Sequence, residues 1–232
     1  DLKRVHKYCP YSGEKETYQL NQKVGVAVKE TASTIICALE NGFYRLNQKD
    51  SSVEFLANPE TDKPENIFND GKCDKSGNFW VGTVHREELE NKGSLYCLKP
   101  DLKCEAKYNG VTISNGIAWT EDYKKMYYID TPTLQIVEFD YDIDSCSISN
   151  KRVAVEFSPE YGMPDGMTID IDGNLWVAMW GGFGVYKCNP RTGQILGKID
   201  IPVANVTSCI FGGKDMDVLY ITTAMAELTD KE

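Results

Sequence analysis

The chain has 232 residues, and its 25 lysines and arginines against 35 aspartates and glutamates give a formal net charge of −10. That balance argues against nucleic acid and anionic membrane as partners, because both need a basic footprint. No apolar run approaches the roughly 20 residues of a membrane helix, and Asp1-Leu2-Lys3-Arg4 forms no signal segment. The reading is a soluble, cytoplasmic protein, with secretion left open should the N-terminus have been cut.

Helical periodicity is nearly absent. In chain order, short β-branched or aromatic segments follow polar turns. The first is Thr34-Ile35-Ile36-Cys37-Ala38, followed by Gly42-Phe43-Tyr44-Arg45-Leu46. Asp74-Lys75-Ser76-Gly77-Asn78 then opens Phe79-Trp80-Val81-Gly82-Thr83, and Ser94-Leu95-Tyr96-Cys97-Leu98 comes next. Lys125-Met126-Tyr127-Tyr128-Ile129 is followed by Ile136-Val137-Glu138-Phe139-Asp140. Asp170-Ile171-Asp172-Gly173-Asn174 opens Leu175-Trp176-Val177-Ala178-Met179, with Gly184-Val185-Tyr186-Lys187 and an outer strand at 194–199 after it. Val218-Leu219-Tyr220-Ile221-Thr222 is the last copy.

The anchors Ile36, Trp80, Tyr128, Trp176 and Tyr220 are separated by 44, 48, 48 and 44 residues. Such a period means propeller blades of about four strands each. The aromatic anchors are read as structural, packing one blade on the next. The expectation is a single all-β domain over residues 1–232, a six-bladed β-propeller. Five anchors and an abrupt first and last copy suggest that it is incomplete at both ends.

The eight cysteines contain no C-x-x-C pair, and their sparse spacing favours reduced thiols. Asn205-Val206-Thr207 is a formal glycosylation sequon of little weight alone. His6 and His85 are the only histidines, which makes a nucleophilic triad a poor reading. His85 is read first as an exposed loop histidine, with a place at the channel mouth as the alternative.

Three segments between repeats carry Asn or Asp beside Gly: Asn69-Asp70-Gly71, Asn115-Gly116 and Asp165-Gly166. Asn69, Asn115 and Asp165 precede their anchors by 11 to 13 residues, equivalent positions at one end of a central channel. Neutral amides plus a carboxylate suit a hard cation such as Ca²⁺ or Mg²⁺. The competing reading is turn chemistry, since Asn-Gly and Asp-Gly are ordinary turn dipeptides.

Asn69-Asp70-Gly71-Lys72, Ser114-Asn115-Gly116, Pro164-Asp165-Gly166-Met167 and Thr207-Ser208-Cys209-Ile210-Phe211-Gly212-Gly213 together resemble the regucalcin / gluconolactonase / luciferin-regenerating-enzyme family, from about Val5 to Ala224. The resemblance implies a six-bladed propeller holding one divalent metal (Ca, Zn, Mn or Mg) and hydrolysing lactones of sugar acids. An insect branch of the family is associated with luciferin recycling. It implies Asn115 as a metal ligand and Asp165 as both metal ligand and catalytic acid/base. Asn69 and Glu87 become substrate contacts, with Asp70 supporting the same mouth. A metal-activated water would attack the lactone carbonyl while Asp165 accepts its proton. Two departures stand out: Ile67 occupies the family's usual Arg position, and the family's first-blade metal-binding Glu motif is absent. The alternative is a non-catalytic metal- or ligand-binding propeller. The partner implied is a small-molecule substrate, and oligomeric state is not specified.

Overall fold

Side chains alternate across a strand, so a strand buried on both faces must be apolar at odd and even positions alike. The anchor segments have this character, and the structure, a computed structural model, describes residues 3–226 and shows what covers each face. The chain forms two compact units, Asp1–Thr112 and Ile113–Glu232.

The first unit holds three antiparallel sheets. β1 (Arg4–Tyr8) and β2 (Lys15–Gln19) make a two-stranded sheet. β3 (Val24–Lys29), β4 (Thr34–Leu39), β5 (Gly42–Asn47) and β6 (Val53–Ala57) make the second, hydrogen-bonded in chain order. β7 (Asn66–Cys73), β8 (Phe79–His85), β9 (Gly93–Leu98) and β10 (Cys104–Val111) make the third. On β4, Ile35, Cys37 and Leu39 pack with Val5 and Tyr18 of the first sheet and with Leu20 just after it. The intervening Ile36 and Ala38 pack with Phe68, Phe79 and Val81 of the third. One strand thus serves two interfaces, and the period of two is hidden because both faces are covered.

The second unit repeats the plan. β11 (Ser114–Trp119), β12 (Lys125–Asp130), β13 (Gln135–Asp142) and β14 (Ser147–Glu156) form one sheet. β15 (Met163–Ile169), β16 (Leu175–Trp180), β17 (Gly184–Asn189) and β18 (Gln194–Asp200) form the next. β19 (Val206–Gly212) and β20 (Val218–Thr223) pair as a two-stranded sheet. On β16, Leu175, Val177 and Met179 face Tyr127, Ile129 and Ile136. Trp176 and Ala178 face Val206, Cys209 and Leu219 on the other side.

All five anchors fall on the second strand of their sheet, as the repeat predicts. Trp80 and Tyr128 are fully buried, and Trp176 meets Phe211 of the following sheet edge-on, with ring centroids 5.8 Å apart. Outer strands such as β18 are mostly exposed. All eight cysteines are free thiols, and burial pushes Cys37, Cys104 and Cys188 up to about 12. The Asn205 sequon nitrogen is enclosed, donating to the Ala226 carbonyl at 2.7 Å. Among the described residues no helix is long and apolar enough to cross a membrane.

Candidate active site

The Asn-Gly and Asp-Gly segments do not lie in connections between repeats. Each sits inside the first strand of its sheet, at a β-bulge. Across from β8, Phe68 pairs with Thr83 and Gly71 with Val81, so β7 carries one extra residue around Asn69 and Asp70. Across from β12, Ser114 pairs with Asp130 and Ile117 with Tyr128, leaving the extra residue at Asn115-Gly116. Across from β16, Pro164 pairs with Met179 and Met167 with Val177, leaving it at Asp165-Gly166. Two further bulges occur at the matching places on β3, at Gly25, and on β19, at Thr207. A bulge bends the strand and re-aims a side chain without ending the ladder. The turn reading fails because these glycines serve sheet packing rather than chain reversal.

The glycines let neighbouring first strands close up. A methyl group on Gly116 would sit 2.7 Å from the Asp165 carbonyl oxygen and 2.8 Å from Met167. One on Gly166 would collide with Ser208 and sit 2.8 Å from the Thr207 carbonyl oxygen. One on Gly25 would meet the Asn69 carbonyl oxygen at 2.7 Å. In the second unit the bulges of β11 and β15 therefore abut, which brings Asn115 and Asp165 onto adjoining backbones.

A hydrogen-bond relay fixes that pair. Asn115, only 7% exposed, donates through Nδ2 to Thr131 Oγ1 at 2.7 Å. Thr131 Oγ1 donates in turn to the carbonyl of Pro164 at 2.8 Å, one residue before Asp165. The first bond assigns the amide nitrogen of Asn115 to the Thr131 side and its oxygen to the other. Beside it, the anchor Tyr128 donates to Ser114 Oγ at 2.7 Å, and Asp130 Oδ1 accepts the Ile113 N–H at 2.9 Å. Asp165 itself is half-buried. Thr131 is the residue the sequence did not disclose. It opens a 3-10 turn, Thr131–Thr133, directly after β12.

The first unit places the other expected residues. Asn69 and Asp70 are half-buried on the β7 bulge. Desolvation pushes the Asp70 carboxyl above the usual carboxylate range, against the opposing pull of Lys72 and the Gly71 N–H, which donates to Asp70 Oδ1 at 2.7 Å. Glu87 is exposed, on the turn after β8. Its N–H donates to His85 Nδ1 at 3.2 Å. Ile67 is half-buried on β7 opposite Val84.

With this geometry in view, residues 1–225 match the family described as the SMP-30/Gluconolactonase/LRE-like region. YvrE of Bacillus subtilis (strain 168), by name a provisional sugar lactone lactonase, is 37% identical over 228 residues, covering 98% of this chain and 78% of YvrE. A solved luciferin-regenerating enzyme superposes with a TM-score of 0.92 at 35% identity, over 99% of this chain and 80% of that one. The calcium-binding protein regucalcin from Agrobacterium tumefaciens superposes with a TM-score of 0.93 at 25% identity, over 99% and 77%. The fold is the all-β, six-bladed β-propeller class, each sheet a blade. The chain belongs to the SMP-30/gluconolactonase/LRE-like family.

Proposed function

We propose that the protein is a divalent-metal-dependent hydrolase that opens lactones of sugar acids, with Asp165 as its acid/base. The observation that carries this reading is the abutting pair of bulges at Asn115 and Asp165, tied together through Thr131. The clamp on its nitrogen leaves the Asn115 amide oxygen as the atom open to a ligand's side of the pair.

The donor set fits a hard cation: an oriented amide oxygen and a carboxylate, with no thiol or imidazole. Among the described residues no three His, Cys, Asp or Glu side chains gather into a metal cluster, so the reading rests on a mixed amide–carboxylate pair. When bound, such an ion would supply Lewis-acid polarisation of the scissile carbonyl. Asp165 would take the proton of the attacking water and return it to the ring oxygen as the ester C–O bond breaks. One water is consumed and a hydroxy acid leaves. Asn69 and Glu87 would hydrogen-bond substrate hydroxyls. Asp70, desolvated on the same bulge as Asn69, would hold the mouth in shape. A carboxyl perturbed by burial at such a place suits a functional role.

The test is proton release from a panel of sugar-acid lactones, with the chain stripped by chelator and reloaded with Ca²⁺, Zn²⁺, Mn²⁺ or Mg²⁺. The expected result is turnover that falls on stripping and returns with at least one ion. No cation-dependent turnover on any lactone would sink the reading.

A further inference from the structure

A recess of about 250 Å³ opens in the first unit, lined by Lys63, Pro64, Glu65, Asn66, His85 and Lys92. Two lysines and a histidine face one carboxylate there, in a chain whose net charge is −10. The volume lies below the roughly 300–1,000 Å³ of drug-sized sites, so its occupant is small.

Lys63 is held in place from behind. Lys63 Nζ lies 3.4 Å from Oε1 of Glu60 and 3.5 Å from Ser94 Oγ. Glu60 is only 4% exposed, and the same Oε1 accepts Tyr96 O–H at 2.7 Å and Thr83 O–H at 3.2 Å. Its other oxygen, Oε2, has no protein partner. Glu60 and Asn66 also line an adjoining cavity of about 30 Å³, room enough for water. Asn66, 6% exposed, donates through Nδ2 to the Lys92 carbonyl at 2.8 Å and so fixes that backbone.

What these groups offer is donors. An ammonium has three N–H groups, and Lys63 directs no more than two to the protein. Lys92 makes no ion pair among the described residues. The Glu87 N–H donates to Nδ1 of His85, which leaves the ring proton on Nε2. The walls between them are the ring of Pro64 and the lysine stems, which lie along apolar surface while their heads stay polar.

We propose that this recess is a subsite for the carboxylate or phosphate of a small metabolite, gripped by Lys63 and Lys92. Asn66 stands three residues before Asn69 on β7, and His85 two before Glu87, so the subsite is built on the same two strands that lead to the expected substrate contacts. If the lactonase reading above holds, on which this extension rests, the favoured substrates are lactones carrying a second, free acidic group.

Binding, not turnover, tests it. Isothermal titration of the full chain with gluconate, inorganic phosphate and the neutral polyol sorbitol at one ionic strength should show at least one anion binding about tenfold tighter than sorbitol. Which anion leads identifies the acidic group. Lys92→Gln should weaken that binding about fivefold. Lys63→Met combined with Glu60→Gln, which strands no buried charge, should do the same and serves should Lys92→Gln fail to fold. Anion binding that persists without any lactone turnover, or turnover without anion preference, separates a failed lactonase reading from a failed subsite. Sorbitol matching both anions, or either folded lysine variant binding like the parent, would overturn the proposal.

Discussion

The hairpin turns at 74–78 and 170–174 and the bulges at Asn115-Gly116 and Asp165-Gly166 use the same residue types to different ends. In the turns, Asp74 Oδ1 accepts the N–H groups of Ser76 and Asn78 at 2.8 and 3.0 Å, and Asp170 Oδ1 accepts that of Asn174 at 2.8 Å. Their glycines, Gly77 and Gly173, adopt φ +81°, the left-handed region that favours glycine. In the bulges the glycines answer to a neighbouring strand's backbone, and the amide of Asn115 is held by Thr131, 16 residues away. A carboxylate that binds its own turn stabilises the fold. Remote partners occur in both places, since Asp170 Oδ2 also meets Lys187 Nζ at 3.0 Å; what separates the bulges is the close approach of a neighbouring strand at their glycines.

Two glycines offer the sharpest way to break that comparison. Gly116→Ala drives a methyl group onto the Asp165 carbonyl, so it should cost about 3 kcal/mol by overpacking and disturb the Asn115–Asp165 pair. Gly173→Ala has open space around it and suffers only from its φ, so it should cost about 1 kcal/mol. Denaturant unfolding checks both, and equal costs would erase the distinction between bulge and turn.

Thr131→Val lies between them. It leaves Asn115 Nδ2 and the Pro164 carbonyl without this buried partner, for about 2 kcal/mol. Thr131→Ser should restore most of the loss. A valine variant as stable as the parent would remove the relay from the account.

The smallest effects are in the pH dependence, and they have opposite signs. Although burial pushes Asp170 up, hydrogen bonds from Trp176, Asn174 and Lys187 carry its carboxyl below the usual range. Its stabilisation is therefore present above the unfolded value of about 3.9 and lost as pH falls through the folded value. Asp170→Asn should destabilise at neutral pH, and less in acid. Asp70 is raised, so its stabilisation is present below about 3.9 and lost as pH rises through the folded value. Asp70→Asn should be neutral in acid and stabilising at neutral pH, as expected for a residue kept for function at the expense of stability. Thermal melts across pH separate the two.

Much of the fold was legible in the sequence because Trp80, Tyr128 and Trp176 repeat at a fixed interval, and a strand buried on both faces must be continuously apolar. The positions of Asn69, Asn115 and Asp165 were legible as offsets from those anchors. Their local structure was not, since an Asn-Gly at a bulge and one in a turn are the same dipeptide. Gly25 escaped notice because no polar neighbour marks its bulge. Thr131 was invisible, as a Thr-Pro after a strand reads as an ordinary connection. The recess joins Lys63 and Lys92 through the side chains of Glu60 and Asn66, contacts that no local pattern encodes.

An acid/base role for Asp165 in lactone hydrolysis can be met directly. Proton release from D-glucono-1,5-lactone should be followed with cation-loaded parent and Asp165→Asn protein, matched for melting temperature. The expected result is a loss of about a thousandfold in kcat with the fold intact. An Asp165→Asn protein that turns over at the parental rate would contradict it.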